Sequence, residues 1–165
     1  MNWETKKIGD FCRTGSGGTP SRKKESRYYY GKIPWVKSGE LKESIILETE
    51  EKITDFAIQE TSTKWIPTNA LLVAMYGANI GRVAILGFPA TSNQAVCHII
   101  PDPSIADHKY IFYALRKQVS RWIDQGVGGA QPNISQTIIR NTEIPLPPLE
   151  EQKRIADILD RADAI

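Results

Sequence analysis

Cysteine, histidine and long apolar runs are what this chain has least of, and each scarcity removes a class of function. The two cysteines, Cys12 and Cys97, lie far apart with no C-x-x-C pair, which reads as two buried thiols in a reducing compartment. The only histidines, His98 and His108, lack the close His/Cys/carboxylate spacing of a zinc site, so no metal is expected. The longest apolar stretch, Ala70–Tyr76, falls far short of the roughly 20 residues needed to cross a bilayer. Met1–Phe11 carries Glu4, Lys6, Lys7 and Asp10 where a secretory signal needs an apolar core. A cytoplasmic protein is therefore expected. Its 165 residues fit one ordinary domain with a short appendage, and a hydrophobic share of 41% with 24% charged residues is that of a folded globular chain.

Catalytic signatures are also missing. Gly15-Ser16-Gly17-Gly18 is glycine-rich but lacks the Gly-Lys-Ser/Thr ending of a phosphate-binding loop, and no Ser/His/Asp set has a recognisable local context. Glu40-Leu41-Lys42 with a distant acid such as Asp10 could hold magnesium beside a phosphate, but Glu-x-Lys triplets arise readily by chance. No segment resembles the Asn/Asp-Pro-Pro-aromatic motif of amino-group DNA methyltransferases. The chain is thus expected to have no catalytic residue and to bind no cofactor itself.

What the sequence does have is an uneven distribution of charge. From Arg13 to Lys42 eight Lys/Arg stand against two acids, and from Glu43 to Thr63 six acids stand against Lys52 alone, which predicts a basic face and an acidic face. The basic run mixes hydroxyls (Ser16, Thr19, Ser21), cations (Arg22, Lys23, Lys24, Arg27) and aromatics (Tyr28, Tyr29, Tyr30). That mixture suits a nucleic-acid groove, with phosphate contacts fixing register and a few side chains reading base edges. A solvated basic loop with its tyrosines in the core has the same composition.

The pattern of elements is mixed. Lys6–Thr14 reads as a strand, Ile33–Val36 as an edge strand or strand start because Pro34 lacks a donor, and Thr54–Glu60 as a short helix capped by Thr54. Ala70–Ala74 and Arg82–Leu86 read as a hairpin, and Ala95–Ile100 as a further strand. Ser104 and Asp107 have capping-box spacing ahead of one helix whose stripe, Ile111, Leu115, Val119 and Trp122, ends at Gly126. One or two helical turns are expected over Ser135–Arg140. Ile144-Pro145-Leu146-Pro147-Pro148 is stiff and extended, a boundary between residues 1–146 and a final helix over 147–165. In that helix Ile155, Ile158, Ala162 and Ile165 are spaced as a coiled-coil seam with Leu159 beside it, a surface for a partner helix. The fold class expected is α+β: a mixed, largely antiparallel sheet domain with short helices, followed by a coiled-coil-type helix.

Several phrases, in this order, point to one family. They are Gly17-Gly18-Thr19-Pro20-Ser21, Tyr30-Gly31-Lys32-Ile33-Pro34-Trp35-Val36 with Ser38-Gly39-Glu40-Leu41, Gly77-Ala78-Asn79-Ile80-Gly81-Arg82-Val83-Ala84, Asn93-Gln94-Ala95, and Ile144 to Ala156. From about Lys6 to the last residue the chain resembles the DNA-specificity subunit of type I restriction-modification systems. The resemblance implies a target recognition domain over 1–146 and the start of a conserved spacer helix over 147–165. Such subunits carry two recognition domains, each reading one half of a split duplex DNA target. Their helices dock modification subunits that bind S-adenosylmethionine and methylate adenine, and a restriction subunit completes the complex. S-adenosylmethionine, magnesium and ATP would then belong to partner subunits. This chain holds one set of these elements, as a piece of such a subunit or as a half-subunit that pairs with its own copy through the C-terminal helix.

With that resemblance, three loops are expected to touch DNA. The first is Ser16–Arg27, contributing Ser16, Thr19, Ser21, Arg22, Lys23, Lys24 and Arg27, with Tyr28 and Tyr30 behind it and Lys37 and Ser38 close by. The second is Tyr76–Arg82, where Gly77 and Gly81 permit close backbone approach and Tyr76, Asn79 and Arg82 offer contacts; an ordinary hairpin turn has the same composition. The third is Gln125–Ser135, with Gln131, Asn133 and Ser135, side chains that equally suit helix capping. A protein-interaction module, binding through the acidic stretch and the terminal helix, is the rival expectation.

Overall fold

Residues 3–126 and 133–163 are described by a computed structural model. Elements follow in the order β1 (Thr5–Lys7), α1 (Ile8–Phe11), β2 (Cys12–Ser16), α2 (Glu25–Tyr28), β3 (Tyr29–Val36), β4 (Ile45–Ile46), β5 (Glu51–Ile53), α3 (Asp55–Glu60), β6 (Leu71–Ala74), β7 (Val83–Leu86), β8 (Thr91–Ser92), β9 (Val96–Pro101), α4 (His108–Arg116), α5 (Val119–Gly126), α6 (Gln136–Asn141), β10 (Glu143–Pro145) and α7 (Leu149–Asp163).

The central sheet has the order β2-β9-β6-β7-β4, antiparallel except that β4 runs parallel to β7. Every residue of β6 and β7 is buried, and their unalternating sequences, Leu-Leu-Val-Ala and Val-Ala-Ile-Leu, reflect a sheet covered on both faces. Leu71, Val73, Val83, Ile85, Cys97 and Ile99 pack with helical residues such as Ile111, Leu115, Trp122 and Ile139. Leu72, Ala74, Ala84, Leu86 and Val96 face the other way, toward Val36, Leu41 and Ile66. A second sheet, β5-β3-β8, encloses a smaller cluster around Tyr28, Tyr29, Trp35 and Ile53. The α+β, largely antiparallel architecture is the one expected, with the hairpin β6–β7 and the Thr54-capped α3 both in place.

Three expected elements differ. Ile33–Val36 is neither an edge strand nor a strand start: it is the second half of β3, which lies between β5 and β8, and Pro34 is accommodated because pairing with β8 begins only at Trp35. Lys6–Thr14 is not one strand: α1 interrupts it, because Ile8 and Phe11, three residues apart, enter the same core from one side of a helical turn. The helix expected from Ser104 to Gly126 is two helices, and its cap is Asp107, whose carboxylate accepts the backbone N–H of Tyr110 at 3.1 Å. Ser104 instead donates its hydroxyl to Asp102 at 2.7 Å in the preceding turn. The break after Arg116 re-aims α5 so that Trp122 is fully buried and its indole N–H reaches Thr142 Oγ1 at 2.7 Å.

The last helix starts directly after Pro147-Pro148, as expected. Gln152 and Ala156 are buried, Ile155 and Leu159 half-buried, whereas Ile158 and Ala162 are exposed; Ile165 lies outside the described residues. The anticipated seam is therefore divided, because α4 covers one side of it. Lys109–Asp160 at 3.0 Å, Tyr113 to Asp160 at 2.7 Å and Arg116–Asp163 at 2.9 Å join the two helices.

Candidate nucleic-acid interface

Strand register brings the predicted loops to one end of the central sheet. β2 ends at Ser16 opposite Cys97, beside the start of β9, and Val96 at that start lies opposite Ala74, the end of β6. Val73 lies opposite Val83, the start of β7, and Glu43 N donates to Val83 O at 2.9 Å, so the chain entering β4 joins the same end. Ile134 N donates to Met75 O at 2.6 Å, which brings the described part of the third loop beside the second. Segments distant in sequence thus form one rim because antiparallel pairing stacks their strand ends.

The first loop is anchored through its glycines. Gly18 O accepts the Trp35 indole N–H at 3.0 Å, and Gly17 and Gly18 donate to Val96 O and Ser92 O at 3.3 and 3.0 Å. A Cβ on Gly17 would collide with Ser92 O, Ser92 Oγ and Asn93 O. Beyond this anchor, Ser16 is half-buried, Thr19 is exposed, and Ser21 caps a 3-10 turn over Arg22–Lys24 by accepting Lys23 N at 3.3 Å.

Charge is where the structure qualifies the sequence expectation. Antiparallel pairing of β3 with β5, Trp35 opposite Glu51, folds part of the acidic stretch back onto the basic run, and three of its eight cations are paired with acids. Arg22 makes a two-pronged contact with Glu51 at 2.8 and 3.0 Å and stacks 3.9 Å above the Tyr29 ring. Lys37 reaches Glu50 at 3.1 Å and Glu51 at 3.0 Å. Arg27 pairs with Glu60 and stacks on Phe56 at 4.0 Å. The guanidinium of Arg22, with Lys37 beside it, lowers the Glu51 carboxyl to about 2. The other five cations of the run, Arg13, Lys23, Lys24, Lys32 and Lys42, are exposed and have no carboxylate partner among the described residues.

Other predicted residues vary in accessibility. Tyr28 is 4% exposed and belongs to the small core, so it has no free ring face. Tyr30 is 80% exposed on a left-handed backbone (φ 61°), its hydroxyl donating to Glu25 at 2.9 Å. In the second loop Tyr76 and Arg82 are exposed and Asn79 is half-buried; a Cβ on Gly39 would lie 3.6 Å from Asn79 Nδ2, which places Ser38–Glu40 against this loop. Gly77 and Gly81 have φ of 90° and 83°, in the left-handed region that favours glycine. In the third loop Asn133 is exposed, Ser135 caps α6 by accepting Ile138 N at 3.1 Å, and Gln131 lies outside the described residues.

Sequence reasoning assigned no site role to Ser92–Ala95, the end of β8 and the turn leading into β9, which touches several loops of this rim. Only the phrase Asn93-Gln94-Ala95 signalled it, and that phrase carries no charge or periodicity. Elsewhere burial sets the chemistry. Both thiols are pushed up to about 12, and His98, buried against Gly15 with Lys64 and Arg13 nearby, is lowered to about 4 and is neutral at pH 7. No group of three or more His, Cys, Asp or Glu among the described residues could hold a metal ion. No described helix is long and apolar enough to cross a membrane.

Residues 1–165 match the family model described as the type I restriction modification DNA specificity domain. The chain belongs to that family. It is 30% identical over 170 residues to the type I restriction enzyme EcoR124I/EcoR124II specificity subunit of Escherichia coli, covering 100% of this chain and 41% of that protein. It is 34% identical over 167 residues to the MjaIX specificity subunit of Methanocaldococcus jannaschii, covering 98% and 38%. The chain therefore spans about two fifths of the length of these specificity subunits. The fold agrees with a chain from a solved structure of type I R-M system assembly and conformational transition, with a TM-score of 0.79 at 19% identity, covering 98% of this chain and 38% of that one.

Proposed function

We propose that this specificity domain recognises one half of a split duplex DNA target, and that the subunit containing it directs adenine methylation and restriction carried out by partner subunits. The observation that supports this reading most directly is the convergence of the predicted loops on one sheet end, in a chain matched over its whole length by the specificity-domain family. Lys23, Lys24, Lys42 and Arg82 supply uncompensated charge for phosphates, and the loop amides and hydroxyls supply base contacts. The chain itself contributes no catalytic group. S-adenosylmethionine, magnesium and ATP would be handled by modification and restriction subunits, in the cytoplasm. The exposed Ile158 and Ala162 of α7 would meet a further helix, either from the rest of the subunit or from a second copy.

Pairing of Arg22, Arg27 and Lys37 with acids favours the rival reading, a protein-interaction module with little DNA contact. Salt dependence separates the two. Duplex binding by the assembled complex should weaken log-linearly with salt, and Lys23→Ala and Lys24→Ala should each reduce the slope by about one unit. A flat slope would favour the interaction module. Methylome sequencing of cells expressing the subunit with its modification partner should show a split motif that changes when residues 16–27 are exchanged for those of a relative.

A further inference from the structure

The turn Ser92–Ala95 is held residue by residue from different directions. Ser92 O accepts Gly18 N at 3.0 Å, Asn93 N donates to Val36 O at 2.9 Å, Gln94 N donates to Thr19 Oγ1 at 3.5 Å, and Ala95 O accepts Met75 N at 2.8 Å. Val96 N to Asn93 O at 3.2 Å closes the turn. Its backbone is thereby tied to the first loop, to the end of β3 and to the start of the second loop. Ser92 and Ala95 are buried, Asn93 is half-buried, and Gln94 alone is exposed. Its side-chain amide has no hydrogen-bond partner among the described residues.

From this arrangement we infer that Gln94 is a base-reading residue whose carboxamide pairs with an adenine edge in the major groove. The inference rests on the DNA recognition proposed above and names one side chain that carries specificity. A carboxamide presents one acceptor and one donor in a plane, and adenine presents N6–H and N7 in the complementary order. The mount is rigid, so only the side chain must be ordered on binding. Neighbouring groups suit the role less: Thr19 offers a single hydroxyl oxygen, which cannot make the paired donor-and-acceptor contact of a carboxamide, and Asn79 is half-buried beside Gly39. Lys23, Lys24 and Arg82 are point or fork donors suited to phosphates, which set register without reading sequence.

The test is methylome sequencing with the full subunit that contains this chain, co-expressed with its modification subunits, as wild type, Gln94→Ala and Gln94→Glu, with complex assembly checked by size-exclusion chromatography. Gln94→Ala should assemble normally and methylate the same split motif. It should accept other base pairs at one position where the wild type requires A·T, with discrimination there reduced about 5- to 150-fold. Gln94→Glu, an acceptor only, should shift that position toward cytosine. An unchanged motif in Gln94→Ala overturns the inference, as does relaxation at a position that does not require A·T. Loss of all methylation in both assembled variants would assign Gln94 to the loop mount and also overturn it. A wild-type complex that assembles but yields no split motif would defeat the DNA-reading proposal itself.

Discussion

Replacing Gln152 tests how tightly the last helix is joined to the sheet domain. Its side chain is fully buried between α7 and the approach to α4. Oε1 accepts Asp107 N at 2.9 Å, while Nε2 donates to Ile105 O at 3.0 Å and to Pro147 O at 2.8 Å. Gln152→Ala removes three hydrogen bonds and leaves one backbone donor and two carbonyls without this partner. At a net value near 1 kcal/mol each, with added cost for groups left unsatisfied, the loss should be about 3–5 kcal/mol. For a chain of this size that corresponds to a fall in Tm of roughly 6–20 °C. Gln152→Met keeps the volume but not the bonds and should be almost as damaging. Gln152→Glu keeps an acceptor for Asp107 N but buries a carboxyl, so it should be less harmful at acid pH, where that carboxyl is protonated and can donate. Urea unfolding at constant m-value measures all three. A loss below about 0.5 kcal/mol for both Gln152→Ala and Gln152→Met would refute the reasoning, because three buried hydrogen bonds cannot vanish at so small a cost.

Gly17→Ala should destabilise the chain by about 1–3 kcal/mol through overpacking, since its Cβ collides with Ser92 and Asn93; thermal melts check this, and an unchanged Tm would contradict the close approach. Glu51 has its carboxyl lowered from 4.5 to about 2 by Arg22 and Lys37. Its contribution to stability is therefore fully present above about pH 4.5 and is lost as pH falls through 2. Glu51→Gln should cost up to about 1 kcal/mol near neutrality, since Arg22 is half exposed, and the gap from wild type should close between pH 4.5 and 2. A gap that widens on acidification would reverse the assignment. Cys12 and Cys97, with thiols pushed up to about 12, should resist alkylation at pH 8 until the chain is unfolded. Rapid labelling of the folded protein, followed by mass spectrometry, would count against their burial.

Local signals in the sequence determined much of this protein. Thr54 and Ser135 cap the helices they precede because a short side-chain oxygen can reach a free N–H only at a helix start. The apolar runs at Leu71–Ala74 and Val83–Leu86 are buried strands, and the proline pair does introduce α7. The ordered phrases from Gly17 to Ala156 were sufficient to place the chain in its family. Tertiary structure alone decided which charges remain free and which side chains share a rim. The basic run looked uncompensated because the acidic partners of Arg22, Lys37 and Arg27 lie 13 to 33 residues away and are brought back to it when β5 and α3 fold against β3 and α2. Tyr28 and Tyr30 belong to one tyrosine triplet, yet burial separates them, and Gln94 acquires its neighbours only when β9 lies between β2 and β6. Periodicity and capping act over a turn of chain, whereas strand register is set by packing across the whole sheet, so no local reading of residues could supply it.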